Sequence, residues 1–568
     1  MAARFGAECQ VLRGWRHLYT TLRSFYHFWP AFRVRLSVRS VLYRCGYEGD
    51  DFSVHGAGTC DMPCSGDSDL SCGGDWSILV YQIGIFPSIQ TTSQSDTTYA
   101  STCSGTIASV RFASTSKIAY FEGEGCATLT DLYNAQISDG QDDGPLFVLD
   151  DDDVVVDSAP TGRWLLTWNL RVTLDATLYV HSIAEGGDCD VLRIQSTDDA
   201  YWNLRGHGGS LSFLDTTVTS WDTDNGQERE WSDGVGRSYI NCVTQFDDSA
   251  LWTCTGASDE EYGTCTMDIV NSVMGNLGWF DSESYGLTWK VRGMCSETDE
   301  TTGFPVNHEI FEDHNVYGDI LNSEIYGMYY GHYTYGHEGG VWTDNIMRDN
   351  IQYGFDPHDD SDNLVISRNE VYGNGNHGII ASKRCNNVEI TDNVIYDGGE
   401  EAVGIFLHRS SDDAVVTGNK ISNMQDAGIA IMESAGALIT GNTIENTKYG
   451  IRLSVSSSDN TIHDNYFSTM SDYGIYTYMG SDDPFIPGND GRNTGNSFTS
   501  NVIENVEHGV NIEEGDDNTF DSNTFTGVDD FLFDDANGNI WTNNDIGSAC
   551  LEASDSSFAS GSDAIPGC

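Results

Sequence analysis

Short segments such as NLVIS, NVEIT, AVVTG and ALITG alternate apolar and polar residues, and they are too brief and too β-branched for helices. They read as strands, and they recur. Aligned on asparagine, the chain repeats at Asn345, Asn369, Asn393, Asn419, Asn442, Asn465, Asn501 and Asn523, with spacings of 24, 24, 26, 23, 23, 36 and 22 residues. A second ladder places a glycine before an apolar residue at Gly354, Gly378, Gly404, Gly428, Gly450, Gly474 and Gly509, with nearly the same period. One short strand set per repeat, with Asn and Gly at the corners, predicts an all-β chain folded as a right-handed parallel β-helix of ~24-residue coils stacked about 4.8 Å apart. Buried asparagines in such a stack are expected to bond the turn backbones of neighbouring coils. Leucine-rich repeats and calcium-binding nonapeptide repeats are excluded, because neither pattern is present. Strand-like alternation in ATLYVHSI, DVLRIQST, GRSYINCV and CTMDIVNS extends the predicted β-helix over 150–546. The long spacing of 36 contains SDDPFIPGNDGRNTGN (481–496), expected to project from one corner as a polar loop.

Charge narrows the range of partners. The 568 residues carry 87 Asp and Glu against 27 Lys and Arg, a net −60, which argues against nucleic acid. Aromatic residues make up 11% and are spread along the chain, so the acidity belongs to a folded protein. The longest apolar stretch, WSILVYQIGIF, is too short and too interrupted to cross a membrane. Fifteen cysteines without a metal-type pair indicate disulfides and export, with Cys103–Cys126 and Cys550–Cys568 as plausible neighbours. The first 44 residues hold eight arginines and one acid, and read as an atypical leader or a mis-assigned start; the remainder balances 86 acids against 19 bases. Residues 45–83, with Cys45, Cys60, Cys64 and Cys72, resemble the second half of a WSC domain, a cysteine-rich module associated with carbohydrate. Residues 84–149 read as a linker and cap, and 547–568 as a tail.

In a β-helix, residues at equal offset from the corner glycine stack above one another, so register becomes geometry. One position before the glycine the column reads Tyr330, Tyr353, His377; two after it, Tyr333, Asp356, Ile380; four after, Tyr335, His358, Ser382, His408; five after, Gly336, Asp359, Lys383, Arg409. Ionisable residues therefore converge on three coils, whereas later coils hold ordinary residues at these offsets. The centre is YGFDPHDD (353–360), and Pro357 is the sole proline between Pro305 and Pro484. His332, His337, His358, His377 and His408 fall within 77 residues. A metal site is the first alternative for such a group. Lys383 and Arg409 would repel an ion held at Asp359, so no metal ligand is assigned.

The run MYYGHYTYGHEGGVWTDNIMRDNIQYGFDPHDDSDNLVISRNEVYGNGNHGIIASK (328–383) resembles the catalytic coils of the mannuronan C-5 epimerases of bacteria and brown algae, whose signature is DPHD. TSWDT (219–223) and DSESYGLTW (281–289) also resemble the bacterial periplasmic branch, and the WSC-like piece favours the brown-algal type. The resemblance implies conversion of β-D-mannuronate to α-L-guluronate within alginate. That chemistry removes the hydrogen on carbon 5, beside a carboxylate that must first be neutralised. Lys383 matches the family's basic position, here HGIIASK, and is followed by Arg384. His358 suits the base and Tyr353 the opposite proton donor, with Asp356 orienting the imidazole or binding sugar hydroxyls. The residues leave open which of His358 and Tyr353 is the base.

Asp359, Tyr330, Tyr333, Tyr335, His337, Arg348, His377, Arg384, His408 and Arg409 are the expected substrate contacts. Each has a structural alternative: tyrosine also precedes the glycine at Tyr449 and Tyr473, where nothing suggests chemistry, and Arg348 and Arg368 lie near corners where they can pair with acids. Asp150–Asp153 reads as a solvated turn, with a calcium site as the weaker alternative. No cofactor is required; calcium stays open. A polyuronate lyase and a non-catalytic wall-binding β-helix are the competing functions. The expected protein is a secreted, monomeric enzyme of the extracellular matrix or cell wall acting on alginate, without membrane insertion.

Overall fold

The computed structural model describes the backbone of residues 63–64 and 67–71 and, beyond these, residues 103, 106–141, 143–246, 261–292, 314–486 and 488–568. The chain divides into two units, 1–93 and 94–568. In the first, Pro63–Cys64 and Asp67–Ser71 pair antiparallel. The leader and the rest of the WSC-like module lie outside the described residues.

The second unit is a parallel β-helix of three faces, and the crossover rule for parallel strands makes its winding right-handed. One face runs from Gly125–Ala127 to Ile540–Thr542 as fourteen parallel strands. Its inward column reads Ile269, Ile320, Trp342, Ile366, Ile390, Val416, Ile439, Ile462, Phe498, Phe520, Trp541, each residue in register with the next. A second face contains Glu324–Tyr326, Ile346–Arg348 and Glu370–Tyr372. The third contains Gly286–Arg292, Tyr330–Tyr335, Phe355–Asp356, Ile379–Ser382 and Ile405–His408. All three inward columns meet in one apolar core, where burying each Ile or Phe contributes roughly 1.5–3 kcal/mol.

Buried asparagines hold the coils in register. Asn369 gives its backbone N–H and its Nδ2 to Oδ1 of Asn393, at 2.9 and 3.0 Å, and its Nδ2 also reaches the carbonyl of Trp342. Asn393 repeats this on Asn419, Asn419 on Asn442, Asn442 on Asn465, Asn465 on Asn501 and Asn501 on Asn523. The preceding residue is left-handed in every coil, with φ of 61° at Asp344, 56° at Asp392, 69° at Gly418 and 65° at Gly441. This explains the Asp and Gly that recur there, since both tolerate that conformation better than branched side chains.

The stack is longer at both ends than the repeat predicts. Ile118–Glu122 already pairs parallel with Asn169–Thr173, and Cys550–Ser554 with 530–534. Antiparallel Ser109–Ala113 and Leu146–Val148 cover the first edges, where an open parallel strand would otherwise present unpaired backbone. The helix Leu129–Ser138, capped by Thr128 and Asp131, adds Leu129 and Leu132 to the core. Disulfides join Cys103 to Cys126, Cys242 to Cys265 and Cys550 to Cys568; the first and last are the pairs expected from their spacing. The acidic turn is occupied by its own neighbours: Oδ1 of Asp150 accepts the N–H groups of Asp152 and Val154, and Asp153 pairs with Arg163 and Arg193.

The 481–496 loop does not project. It folds back along the corner, where the buried carboxylate of Glu433 accepts the N–H groups of Phe485 and Ile486 at 2.6 and 2.7 Å and the amide of Asn489 at 3.2 Å.

The ladder makes a paired prediction. Asn393→Ala strips acceptors from the Asn369 N–H and amide and a donor from the Ile366 carbonyl, and should cost about 2–4 kcal/mol in chemical denaturation. Asp392→Gly, one residue away, should change stability by less than about 1 kcal/mol, because glycine already serves at this corner in the next two coils.

Candidate functional site

The columns expected from sequence exist in the structure. Tyr333 is in register with Asp356, His358 with Ser382, and Ser382 with His408. The charged residues sit where face three turns its corner, and two successive left-handed residues make that corner in each coil: Asp359 and Asp360 (φ 30° and 54°), Lys383 and Arg384 (64° and 61°), Arg409 and Ser410 (57° and 58°). Such a conformation costs non-glycine residues of order 1–3 kcal/mol, and here backbone bonds between coils over-determine it. The Asp359 and Asp360 N–H groups donate to the Ser382 and Lys383 carbonyls, and those of Lys383 and Arg384 to the His408 and Arg409 carbonyls. Pro357, lacking an N–H, still offers its carbonyl to Ser382 at 2.9 Å.

His358 directs Nδ1 at the carboxylate of Asp359, while its backbone N–H meets Oγ1 of Thr334 at 3.4 Å. The carboxylate beside the His358 ring is therefore that of Asp359. Asp356 lies beneath, 1% exposed, and its Oδ1 has no hydrogen-bond partner among the described residues. Burial, helped by Asp359 and opposed by His358 and Lys383, pushes the Asp356 carboxyl up to about 7. Burial also acts to raise Asp359, but His358, Lys383 and Arg384 together pull it below the ordinary carboxylate range. Lys383 influences both acids, yet makes no ion pair among the described residues.

An aromatic floor surrounds this corner. Tyr353 stacks on Tyr330 (centroids 5.0 Å apart) and on His377 (5.4 Å), and Tyr333 lies 5.4 Å from the His358 ring. Burial and the nearby Asp356 raise the Tyr353 hydroxyl to about 12 and carry the Tyr330 and Tyr333 hydroxyls higher still. These phenols hold their protons near neutrality. His377 accepts the Val403 N–H at Nδ1, and His408 bonds the Ser382 hydroxyl at 2.9 Å. Burial lowers both imidazoles to about 3, with Arg452 adding to the effect at His377 and Arg409 at His408, so each stays neutral beside the cationic corner.

Several expected contacts stand elsewhere. His337 is fully buried inside the coil, stacked parallel on Trp342 at 5.4 Å, because its side of the strand faces the core; it cannot touch a sugar. Arg348 belongs to the second face, tied to Glu324 and Asp349 and lying over Tyr326. Arg384 pairs with Asp359 and Asp360, with a side chain only 7% exposed. Arg409 pairs with Asp482 of the folded-back loop, and both guanidinium groups lie within 6 Å of the Phe485 ring. Tyr335 faces outward from the strand, beneath the Lys290 ammonium. Sequence reasoning missed Tyr285, whose ring lies 4.6 Å from Tyr330 and 5.0 Å from Tyr333. Its signal was present, since Tyr285 precedes Gly286 as Tyr330 and Tyr353 precede their glycines.

Stability should depend on these acids. Asp356, Asp362 and Asp268 each sit near 7 in the fold against about 4 unfolded, so the native state binds the extra protons and stability falls as pH rises from about 4 to 7. Asp356→Asn should flatten part of that fall, gaining on the parent protein at pH 8 but not at pH 4 in denaturation series. Glu433→Ala should release the loop, seen as faster amide exchange at Phe485 and Ile486 with the core strands unchanged.

Comparison with known proteins bears on the coil repeat and the fold. Residues 269–477 match the family model described as periplasmic copper-binding protein (NosD), a match that falls on the coil repeat. The mannuronan C5-epimerase of Pseudomonas putida is 32% identical over 274 residues, 48% of this chain and 46% of that protein. The mannuronan C5-epimerase AlgG of Azotobacter vinelandii is 35% identical over 211 residues, 36% of this chain and 40% of that protein. The chain thus spans about half the length, or less, of these relatives. The crystal structure of the periplasmic alginate epimerase AlgG superposes with a TM-score of 0.53 at 20% identity, covering 78% of this chain and 85% of that one, which shows a shared fold. In sequence and in fold, the β-helix of this chain is related to the mannuronan C5-epimerases.

Proposed function

We propose that the chain epimerises β-D-mannuronate to α-L-guluronate within alginate, outside the cell. One observation carries the reading: His358, beside Asp359, shares a corner with Lys383, a cation without a carboxylate partner among the described residues, on the same face as Tyr353 and its stacked neighbours Tyr330 and His377. With Nδ1 turned toward Asp359, Nε2 of His358 is the acceptor for the proton on carbon 5. Lys383 offsets the sugar carboxylate, whose oxygens gain charge as that C–H bond breaks. The C–H electron pair becomes part of an enediolate. Carbon 5 then takes a proton from the opposite face, and Tyr353, which holds its proton up to about pH 12, is suited to give it. His358 releases its proton to solvent and Tyr353 regains one, so the cycle closes without net change in the enzyme. Asp356, protonated around neutrality, supplies an O–H for a sugar oxygen. His377 and His408, kept neutral, line the groove.

A lyase would begin with the same proton removal but expel the carbon-4 oxygen. Incubation with polymannuronate, followed by NMR of guluronate content and by absorbance of unsaturated ends, separates the two. The expected result is guluronate without unsaturated ends; unsaturated ends alone would sink the proposal. His358→Ala should lower the rate by about 10²–10⁴-fold. Tyr353→Phe should lower it with substrate binding largely kept, and the Lys383→Ala rate should fall most.

A further inference from the structure

The 481–496 loop leaves the stack after Tyr473–Tyr478 and rejoins it at Asn493–Thr494, and between these strands it runs backward along the corner of face three as a strap. Its contacts descend coil by coil. Gly491 donates its N–H to Oγ of Ser456 at 2.8 Å and accepts the Ser456 N–H at 3.0 Å. Two coils back from Tyr473–Tyr478 the strap meets Glu433, three coils back Arg409 and four coils back Arg384, a reach of about 19 Å along the axis. Glu433 stands in the corner column of the site, because five residues on from the corner glycine the chain places Asp359, Lys383, Arg409, Glu433 and Val455 in turn. All five are left-handed, with φ of 30°, 64°, 57°, 49° and 54°.

Among the described residues, the donors to the buried Glu433 carboxylate all belong to the strap: the Phe485 and Ile486 N–H groups and the Asn489 amide. Carboxylate and strap therefore fix each other, since a buried charge is costly to leave without donors. This anchor sets the Phe485 ring, whose centroid lies 5.7 Å from the Arg384 guanidinium carbon and 5.9 Å from that of Arg409. Arg384 in turn donates from Nη2 to Asp359 and to Asp360, at 2.8 Å each, and Asp359 lies against Nδ1 of His358. An aromatic ring within 6 Å attracts a guanidinium and removes competing water, so it narrows the conformations open to a long side chain. The line of contacts runs unbroken from Glu433 to His358.

Resting on the function proposed above, we infer that Phe485, anchored by Glu433, is a positioning residue for the reaction: it fixes the Arg384 guanidinium, which holds Asp359 against the His358 ring. Phe485 acts through Arg384 and needs no contact with the sugar. Its loss should therefore appear in the rate of proton removal and not in the affinity for the polymer.

The test measures kcat and KM on polymannuronate from NMR of guluronate content. Phe485→Leu keeps an apolar side chain but removes the ring, and should lower kcat about fivefold with KM and the denaturation midpoint unchanged. Phe485→Trp should restore kcat. Glu433→Ala frees the same strap and should lower kcat by a similar factor, and the double variant should fall no further, because both act through one contact. An unchanged kcat in Phe485→Leu, an equal loss in Phe485→Leu and Phe485→Trp, or a change in KM alone would overturn the assignment. A parent protein that forms no guluronate fails the function reading instead. Positioning is then decided by NMR of isotope-labelled histidines, with His358→Gln identifying the resonance: ring nitrogen signals of His358 that move in Phe485→Leu and return in Phe485→Trp uphold it, and signals that stay in place overturn it.

Discussion

Everything at the site depends on one repeated hydrogen-bond pattern, in which a buried asparagine amide gives to and takes from the asparagine one coil away. Amide groups inside an apolar stack are costly to leave unpaired, and their two-sided satisfaction admits one vertical registration. A shift by one residue would also turn each inward Ile outward. Because register is held so firmly, a residue's offset from the corner is also its position in space. Residues of three different coils can then be assembled into one constellation without any loop having to carry them.

The corner adds a second constraint. Paired left-handed residues turn the backbone so sharply that side chains from adjacent coils fan over the same edge of face three. Arg384 is bound inward by Asp359 and Asp360, and Arg409 by Asp482, while Lys383 keeps its charge available. The Arg384 guanidinium thus holds Asp359, the acid that sits against the histidine. Burial does the remaining sorting: it keeps protons on Asp356 and the tyrosines and off His377 and His408, whereas direct cationic contact strips Asp359. Donors and acceptors are separated by environment rather than by residue type.

Most of the fold was legible because the asparagine and glycine ladders encode it directly. The ends were not, since Ile118–Glu122 and Cys550–Ser554 join the stack without either marker. The columns through Tyr353, Asp356, His358 and Lys383 were legible for the same reason as the fold. What periodicity cannot state is which way a side chain faces once a strand bends or which acid a base chooses. His337 follows the corner glycine Gly336 and turns into the core, and Asp359, not Asp356, meets the imidazole. The loop of 481–496 was misjudged from composition: Pro, Gly and Asp suggest solvent, but Glu433, 52 residues before Phe485 in the chain, supplies a buried acceptor for its backbone.

Net charge also changes meaning once positions are known. A chain at −60 would repel a polyanion if its acids were evenly spread. At separations beyond a Debye length of about 8 Å, physiological salt screens most of that repulsion. Contacts at the corner of face three are shorter and partly shielded from solvent, so Lys383 is screened far less than the acidic exterior. The overall sign therefore bears on solubility in a salty environment, and the local sign bears on recognition. Both follow from a fold that sets each charged side chain by its offset within the coil, so that Lys383 can stand beside Asp356 and Asp359 on one edge of face three.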